Sequence, residues 1–201
     1  MIVAAAAQAK AVRRRVEGAG IPRVYKAGRA KLWFDDCMST LIVLRGNSGS
    51  GKSTLARALQ RELRAVWIEQ DYFRRIVLGE SGNYTPLSVE LIEQTAALTL
   101  AAGRTVVLDG IFNAAKYSES LARLRDGHDG ASLFYAYDLT FEETLRRHVT
   151  RAHKAADFGE DQMRGWYHGW NPLEGIAEKR ITAGESAEQA LRRIIADAGA
   201  V

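Results

Sequence analysis

The chain has little cysteine, little proline and no long apolar run, and each scarcity narrows the class of protein it can be. Cys37 is the only cysteine, so no disulfide can form within the chain, and a reducing cytoplasm is the expected compartment. The longest apolar stretches, 40–44 and 105–108, are far shorter than the roughly 20 residues that cross a bilayer, so we expect no membrane segment.

The charge is also modest. Lys and Arg number 28 and Asp and Glu number 24, which gives a formal net charge of +4 over 201 residues. Basic charge often accompanies phosphate-rich partners, but an excess of four does not by itself indicate nucleic acid. The 47% share of hydrophobic residues fits one compact domain with a single core.

The chain divides into an N-terminal extension, residues 1–37, and a body, residues 38–201. The extension contains a predicted helix at 4–17 with three consecutive arginines, 13–15. Met38 stands directly before the first predicted strand, where a domain of this kind would sensibly begin. The extension is therefore either an upstream or added segment, or an arm that caps the sheet or binds an acidic partner.

Strand and helix patterns alternate along the body. Strands are predicted at 41–45, 66–69, 104–108, 132–137 and 180–182, and helices at 53–63, 71–78, 86–102, 116–125, from 141 onward, and 186–198. Apolar strands alternating with helices indicate a parallel sheet covered on both faces. We therefore predict an α/β fold, a three-layer sandwich of the P-loop NTPase type with about five parallel strands, and ligands at the edge where the strands end.

A glycine-rich loop follows the first strand and matches the spacing G-x-x-x-x-G-K-[ST] without a substitution. Glycines let successive backbone N–H groups point inward at phosphate oxygens, and the following helix adds its positive dipole end. A chance glycine-rich turn is the alternative, which the strand before the loop and the helix after it disfavour. The predicted nucleotide-binding residues are Gly46, Asn47, Ser48, Gly49, Ser50, Gly51, Lys52, Ser53 and Thr54.

Two side chains of this loop have distinct expected roles. Lys52 should reach the β- and γ-phosphates of ATP, and the Ser53 hydroxyl should bind Mg²⁺. The sequence has no N-K-x-D segment of the kind that recognises guanine and no L-S-G-G-Q-like signature, and it is short for an AAA-type motor. The class of protein that remains after these observations is a small phosphotransferase that uses ATP and Mg²⁺.

Polar residues follow the next two strands. Asp71 follows the second strand and Arg74 lies three residues on, a spacing that suits a general base for an acceptor hydroxyl with a guanidinium beside it. The alternative makes Asp71 a helix N-cap and Arg74 a solvated side chain. Asp109 ends the third strand and is expected to orient magnesium or its water shell, with a turn cap or an acceptor contact as alternatives.

A basic helix and the segment after it form a predicted lid at about 147–170. Arg147 and Arg151 are four residues apart and share a helix face, from which they could neutralise a transferring phosphoryl group. The alternative is a solvated face paired with Glu142 and Glu143. The aromatic residues 166, 167 and 170 either anchor this lid or stack on a ligand, and the four histidines show no metal-ligand spacing.

Together these motifs resemble the small P-loop kinases, a group that includes AAA_33, zeta-toxin-like and gluconate-kinase-like enzymes and polynucleotide 5′-kinases. The likeness to the kinase domain of polynucleotide kinases covers most of 40–170. It includes the loop end 51–54, the D-x-x-R pair, the strand ending in Asp109, the turn 137–140, the two lid arginines and the segment 163–167. The resemblance implies that Asp71 is the general base, that Arg147 and Arg151 act from the lid, and that Mg-ATP is the donor.

The expected function is transfer of the γ-phosphoryl group of Mg-ATP to a hydroxyl of a small molecule, with Lys52, Asp71, Arg74, Arg147 and Arg151 as catalytic residues and Ser53 and Asp109 as metal ligands. A polynucleotide 5′-hydroxyl kinase or a zeta-toxin-like kinase is the alternative within enzymes, although nucleic acid is the less favoured acceptor. A nucleotide-gated drug- or ligand-binding protein that transfers nothing is the alternative of another class. The acceptor's identity and the oligomeric state stay open.

Overall fold

The computed structural model describes residues 39–80, 85–150 and 158–200. The strands are β1 (Thr40–Arg45), β2 (Val66–Glu69), β3 (Val106–Gly110), β4 (Ala131–Asp138) and β5 (Lys179–Thr182). The helices are α1 (Lys52–Leu63), a π-helix (Tyr72–Val77), α2 (Pro86–Ala101), α3 (Ala114–Asp126), α4 (Phe141–Val149), α5 (Glu160–Trp166) and α6 (Ala187–Gly199). The predictions made for residues 1–37 and for the lid segment 151–157 lie outside the described residues.

The five strands form one parallel sheet in the order β2-β3-β1-β4-β5. All six residues of β1 are buried, as a strand at the centre of a sheet covered on both faces requires. The register places Glu69 beside Asp109 and Leu44 beside the same aspartate, so the carboxyl ends of β2, β3 and β1 finish at one edge. The predicted parallel sheet of about five strands is confirmed.

Alternate residues of β1 pack into the two halves of the core. Leu41 and Val43 join a cluster with the apolar faces of α2 and α3, whereas Ile42 and Leu44 join a cluster with α1 and α6. Side chains of a strand alternate between the two faces of a sheet, so this division gives three layers. The predicted three-layer sandwich is therefore confirmed.

The N-terminal caps that the sequence predicts are present, with one difference. The Thr85 side chain accepts a hydrogen bond from Ser88 N before α2, and Ser186 and Gln189 form a complete capping box before α6. At α4 the Thr140 hydroxyl accepts from Glu143 N, but the Glu143 carboxylate binds Arg146 and Arg147 instead of closing the box. The acidic residue is thus committed to the arginines of its own helix.

The helix predicted at 71–78 is a π-helix over Tyr72–Val77. Its wider turn is seen in the hydrogen bond from Leu78 N to Phe73 O, which spans five residues at 3.0 Å. This geometry packs Phe73 against the core while Tyr72 stays exposed at 53%. Within the described ranges, no helix combines the length and the apolar character needed to cross a bilayer.

Candidate active site

The glycine-rich loop connects β1 to α1 at the carboxyl edge of the sheet. Gly46, Gly49 and Gly51 have φ values of 146°, 80° and 110°, a backbone conformation that residues with a side chain rarely adopt. A Cβ on Gly49 would lie 2.5 Å from the carbonyl oxygen of Thr144, so glycine is required for α4 to approach the loop this closely. Gly51, which has no side chain to cap the helix, precedes the first N–H groups of α1, and these suit an anion.

Lys52 begins α1 and is 8% exposed. Its Nζ donates to the carbonyl oxygen of Asn47 at 2.9 Å and to the Ser50 hydroxyl at 3.4 Å. The ammonium group therefore lies across the mouth of the loop, where phosphate oxygens would find a buried positive charge. Contact of Lys52 with the β- and γ-phosphates stays a prediction.

Asn47 has a role that the sequence does not indicate. Its amide nitrogen donates to the Gly169 carbonyl at 3.1 Å, and its amide oxygen accepts from His168 N at 2.8 Å. The side chain thereby fastens the loop to the chain that follows α5. Only the backbone of Asn47 is left to face a nucleotide.

The base of the loop is held by a buried ion pair. Arg45 Nη1 contacts both carboxylate oxygens of Glu178, at 2.9 and 2.8 Å, and the two side chains are 5% and 2% exposed. Nε and Nη2 of Arg45 also donate to the carbonyl of Phe112, a residue with a φ of 40°. One guanidinium thus joins the ends of β1 and β3 to the chain before β5.

An acidic pair lies beside the loop, with Asp109 buried and Glu69 partly buried. Ser53 Oγ donates to Glu69 Oε1 at 3.4 Å, and Glu69 is the neighbour of Asp109 in the sheet. Asp109 is 1% exposed, and its Oδ2 atom has no hydrogen-bond partner among the described residues. Burial raises the pKa of Asp109 to about 6, although the positive charge of Lys52 opposes the shift.

This donor set fits a magnesium ion. A hydroxyl and two carboxylates are hard oxygen ligands, and Mg²⁺ commonly binds one or two carboxylates together with the phosphates of its nucleotide. The unpartnered oxygen of Asp109 supplies an acceptor that a cation or its water would satisfy. Sequence reasoning predicted Ser53 and Asp109 for this role but missed Glu69, whose only signal is its position as the polar last residue of β2.

These groups line one cleft, which encloses about 600 Å³ including the part open to solvent. Its lining residues are Ser48, Gly49, Gly51, Lys52, Ser53, Glu69, Asp71, Asp109, Gly110, Ile111, His148 and Phe158. A space of this size falls within the range of small-molecule and cofactor sites. The loop, the acidic pair and Asp71 therefore share a single site.

The structure divides the predicted D-x-x-R pair. Asp71 borders the cleft with a side chain that is 56% exposed, and its nearest ion-pair partner is Arg75, at 3.8 Å. Arg74 pairs with Glu80 at 3.3 Å and is not among the cleft-lining residues. Asp71 is thus placed to meet a ligand, whereas Arg74 fastens the π-helix to the chain before α2.

Arg147 reaches the nucleotide loop from α4. Its Nη1 donates to the Ser50 carbonyl at 2.9 Å, while its Nε donates to Glu143 at 2.6 Å. Hydrogen bonds from Arg146 and Arg147 lower the pKa of Glu143 to about 2, so this carboxylate holds both guanidinium groups. Arg151, the second predicted lid arginine, lies outside the described residues.

His148 forms one wall of the cleft. The sequence did not indicate this histidine as a site residue. It is 3% exposed, its ring stacks on Phe158 at 4.6 Å between centroids, and its Nε2 donates to the Phe158 carbonyl at 3.0 Å. Its position directly after Arg147 on the lid helix is the only signal that could have found it. The pair joins α4 to the beginning of α5.

The aromatic residues after α5 act as anchors. The Tyr167 hydroxyl donates to the Leu139 carbonyl at 2.9 Å, and its ring meets Phe141 edge-on at 5.5 Å. The Arg180 guanidinium lies 4.3 Å from the Trp170 ring centroid. Of the two predicted roles, anchoring is the one that the Tyr167 contacts support.

The sequence matches a family model and curated relatives. A family model described as AAA domain, AAA_33, matches residues 41–173. The uncharacterized protein Rv2004c of Mycobacterium tuberculosis is 31% identical over 127 residues, which cover 56% of this chain and 26% of that protein. The chain thus spans about a quarter of the length of the curated relatives it matches.

Solved structures share the fold at low identity. The Mycobacterium tuberculosis APS kinase CysC in complex with AMPPNP and APS has a TM-score of 0.62 and 17% identity, covering 79% of this chain and 96% of that one. A gluconokinase from Sinorhizobium meliloti has a TM-score of 0.58 and 17% identity, covering 81% and 93%. The Pnkp1/Rnl/Hen1 RNA repair complex has a TM-score of 0.50 and 24% identity, covering 67% and 44%.

The chain has a P-loop NTPase fold like that of these kinases. Because the family model covers more than half of the chain, the chain belongs to the AAA_33 family of AAA domains. The resemblance to small P-loop kinases inferred from the motifs is confirmed.

Proposed function

We propose that this protein is an ATP-dependent phosphotransferase whose acceptor is a hydroxyl group of a small molecule. The observation that carries the proposal is the arrangement of three groups at the phosphate loop and the cleft beside it. Lys52 lies across the phosphate loop, Arg147 touches the same loop from α4, and Asp71 borders the cleft with an exposed carboxylate. Positive charge for the phosphoryl group and a base for the acceptor are what such a transfer needs.

In this mechanism the backbone of the loop and Lys52 hold the phosphates of ATP. Ser53, Asp109 and Glu69 would hold Mg²⁺, which supplies charge neutralisation at the phosphates when it is bound. Arg147, already fixed by Glu143, adds positive charge next to the loop. Asp71 orients the acceptor hydroxyl and takes its proton as the oxygen attacks the γ-phosphorus.

The kinase names of the structural neighbours support this proposal, and the acceptors in those names, APS and gluconate, are small molecules.

We also propose that residues 1–37 are an extension outside the catalytic domain and that the protein works in a reducing cytoplasm, where its single cysteine stays unpaired.

The test is label transfer from γ-labelled ATP with Mg²⁺ to two pools of acceptors, hydroxyl-bearing small molecules and 5′-hydroxyl oligonucleotides. The Asp71→Asn variant should lose between about 100-fold and 10,000-fold in transfer, because the base is removed. Its nucleotide affinity should stay unchanged, because Asp71 lies outside the phosphate loop. Full transfer by this variant would refute the assignment of Asp71 as base.

A polynucleotide 5′-kinase is the second candidate, which the likeness to an RNA repair complex favours. It predicts label on oligonucleotide ends and acceptor binding that weakens steeply with salt, because phosphate contacts release counterions. Tight nucleotide binding with no transfer to either pool, and an intact biological effect of Asp71→Asn, would instead indicate a nucleotide-gated binding protein.

A further inference from the structure

Large apolar side chains are exposed mainly in one part of the described chain. Six are more than half exposed, and four of the six lie between positions 72 and 87, namely Tyr72 at 53%, Ile76 at 68%, Val77 at 51% and Leu87 at 61%. Single exposed apolar residues are ordinary, whereas a contiguous group of them indicates a binding surface. Three of the four belong to the π-helix that follows Asp71.

The geometry of the π-helix places these three side chains together. A π-helix completes a turn in roughly four to five residues, so positions four and five apart share a face. Ile76 and Val77 are four and five residues after Tyr72, and the three form a surface that we call the apolar rim. Ile76 is also five residues after Asp71, so on this helix the rim lies next to Asp71, the one residue of the group that lines the cleft.

Polar groups near the rim are already engaged with one another. Arg75 pairs with Asp71, and Arg74 pairs with Glu80, which also accepts a hydrogen bond from Thr85. The ring of Phe73 packs against the core on the other side of the helix. Apart from Arg75, which is paired with Asp71, the exposed side chains of the π-helix are therefore apolar.

We infer that the apolar rim binds the body of the phosphoryl acceptor, and that the acceptor is an amphiphilic alcohol whose hydroxyl stands close to an aliphatic or aromatic group. This inference rests on the proposed function, because Asp71 fixes where the hydroxyl must lie. The acceptor oxygen bonds to the γ-phosphorus as the bond from that phosphorus to the β–γ bridging oxygen breaks. ADP leaves with the electron pair, and the hydroxyl proton passes to Asp71 and then to water.

The test uses the full chain with Mg²⁺ and a series of straight-chain primary alcohols from ethanol to octanol. Binding is measured by ligand-observed NMR in the presence of a non-hydrolysable ATP analogue, and label transfer to the same alcohols is measured with γ-labelled ATP. Each methylene that the rim covers should tighten binding about fourfold, the equivalent of about 0.8 kcal/mol. The gain should continue over several carbons and then level off.

Two rim variants and a matched control test whether the dependence on chain length arises at the apolar rim. Ile76→Ser and Val77→Ser should flatten the dependence on chain length, because they replace the contact with a polar group. Leu98→Ser changes an equally exposed leucine on α2, at 53%, and should leave the dependence intact. All three residues are exposed, so the melting temperatures of the variants should stay close to that of the native protein.

Different failures can be told apart. Label transfer without any dependence on chain length, or the same dependence in Ile76→Ser as in the native protein, would refute the inference that the apolar rim binds the acceptor. The proposed phosphotransferase activity would still stand. Length-dependent binding with no transfer to any acceptor would overturn the acceptor assignment together with the proposed function. A dimer in sedimentation equilibrium that Ile76→Ser dissociates would show that a second copy covers the rim, which would also overturn the inference.

Discussion

The two sides of the cleft are built in different ways. On the nucleotide side, Lys52 and Asp109 are almost fully buried, and Arg147 contacts Ser50 from 97 positions further along the chain. On the acceptor side, Asp71 is half exposed, and its ion pair is with Arg75, only four residues away. Long-range contacts fix a site rigidly, whereas local pairs hold one helix without fixing what faces it. In the proposed function, the first side holds the ATP donor and the second side contacts the acceptor.

The largest effect should follow from removing the buried charge of the nucleotide side. Lys52→Ala should lower phosphoryl transfer by about 1,000-fold or more, because the phosphate loop loses its only side-chain cation. ATP binding, measured with a fluorescent analogue, should weaken as well. If Asp71→Asn weakened ATP binding as much as Lys52→Ala, the proposed division of the cleft into two sides would be wrong.

The next effect separates two arginines of one helix. Arg147→Ala should lower transfer by about 100-fold, because it removes a positive charge that touches the loop at Ser50. Arg146→Ala is the matched control, since Arg146 shares the carboxylate of Glu143 but is 67% exposed and donates to no loop atom in the described structure. Equal losses of transfer in the two variants would contradict a special role for Arg147.

A third prediction concerns pH. Burial raises the pKa of Asp109 to about 6 from an ordinary value of 3.8, so the folded protein binds this proton more tightly than the unfolded chain does. The contribution of Asp109 to the free energy of unfolding therefore falls as the pH rises from about 4 to about 6, by roughly 3 kcal/mol in all. Asp109→Asn has no carboxyl group to ionise at this position, so its stability should not fall in this way. In urea unfolding, its free energy of unfolding should exceed that of the native protein at pH 8 but not at pH 4.

The same variant tests the metal assignment without an activity assay. Mg²⁺ at pH 8 should stabilise the native protein against urea, because the ion binds the ionised carboxylate in the folded state. Asp109→Asn should show little of this stabilisation. Equal stabilisation of both proteins by Mg²⁺ would place the ion elsewhere.

The smallest predicted effects compare two glycines. Gly49→Ala should lower the free energy of unfolding by about 2 kcal/mol, because its φ is 80° and the new Cβ would lie 2.5 Å from the Thr144 carbonyl. Gly165→Ala, in α5, meets nothing within 4 Å and should raise it by about 0.5 to 1 kcal/mol. Thermal unfolding measures both, and a tolerated Gly49→Ala would mean that α4 is free to move off the loop.

The sequence was sufficient for the parts of this molecule that depend on local pattern. The G-x-x-x-x-G-K-[ST] spacing predicted a loop between the first strand and the helix after it. Apolar strands alternating with helices predicted a parallel sheet. The order of the strands was not predictable in this way, because it depends on which crossover each helix makes. Glu69 became a candidate only when the register placed it beside Asp109.

Side-chain pairing was the least predictable feature of the site. The spacing of Asp71 and Arg74 suits a shared helix face, but Asp71 pairs with Arg75, four residues on, instead. Arg74 is held by Glu80, which no motif marks. The pattern of a helix is visible in a sequence, whereas a change from one kind of helical turn to another depends on the tertiary contacts around it.

The ion pair between Arg45 and Glu178 has a consequence for how the protein is made. The two residues are 133 positions apart, so a chain growing from its N-terminus has synthesised the whole nucleotide loop long before the partner of Arg45 exists. A nascent chain that folded early would bury an unpaired guanidinium at the end of β1, which is strongly unfavourable. We therefore expect the nucleotide loop, although it comes early in the chain, to reach its final form only after Glu178 has left the ribosome.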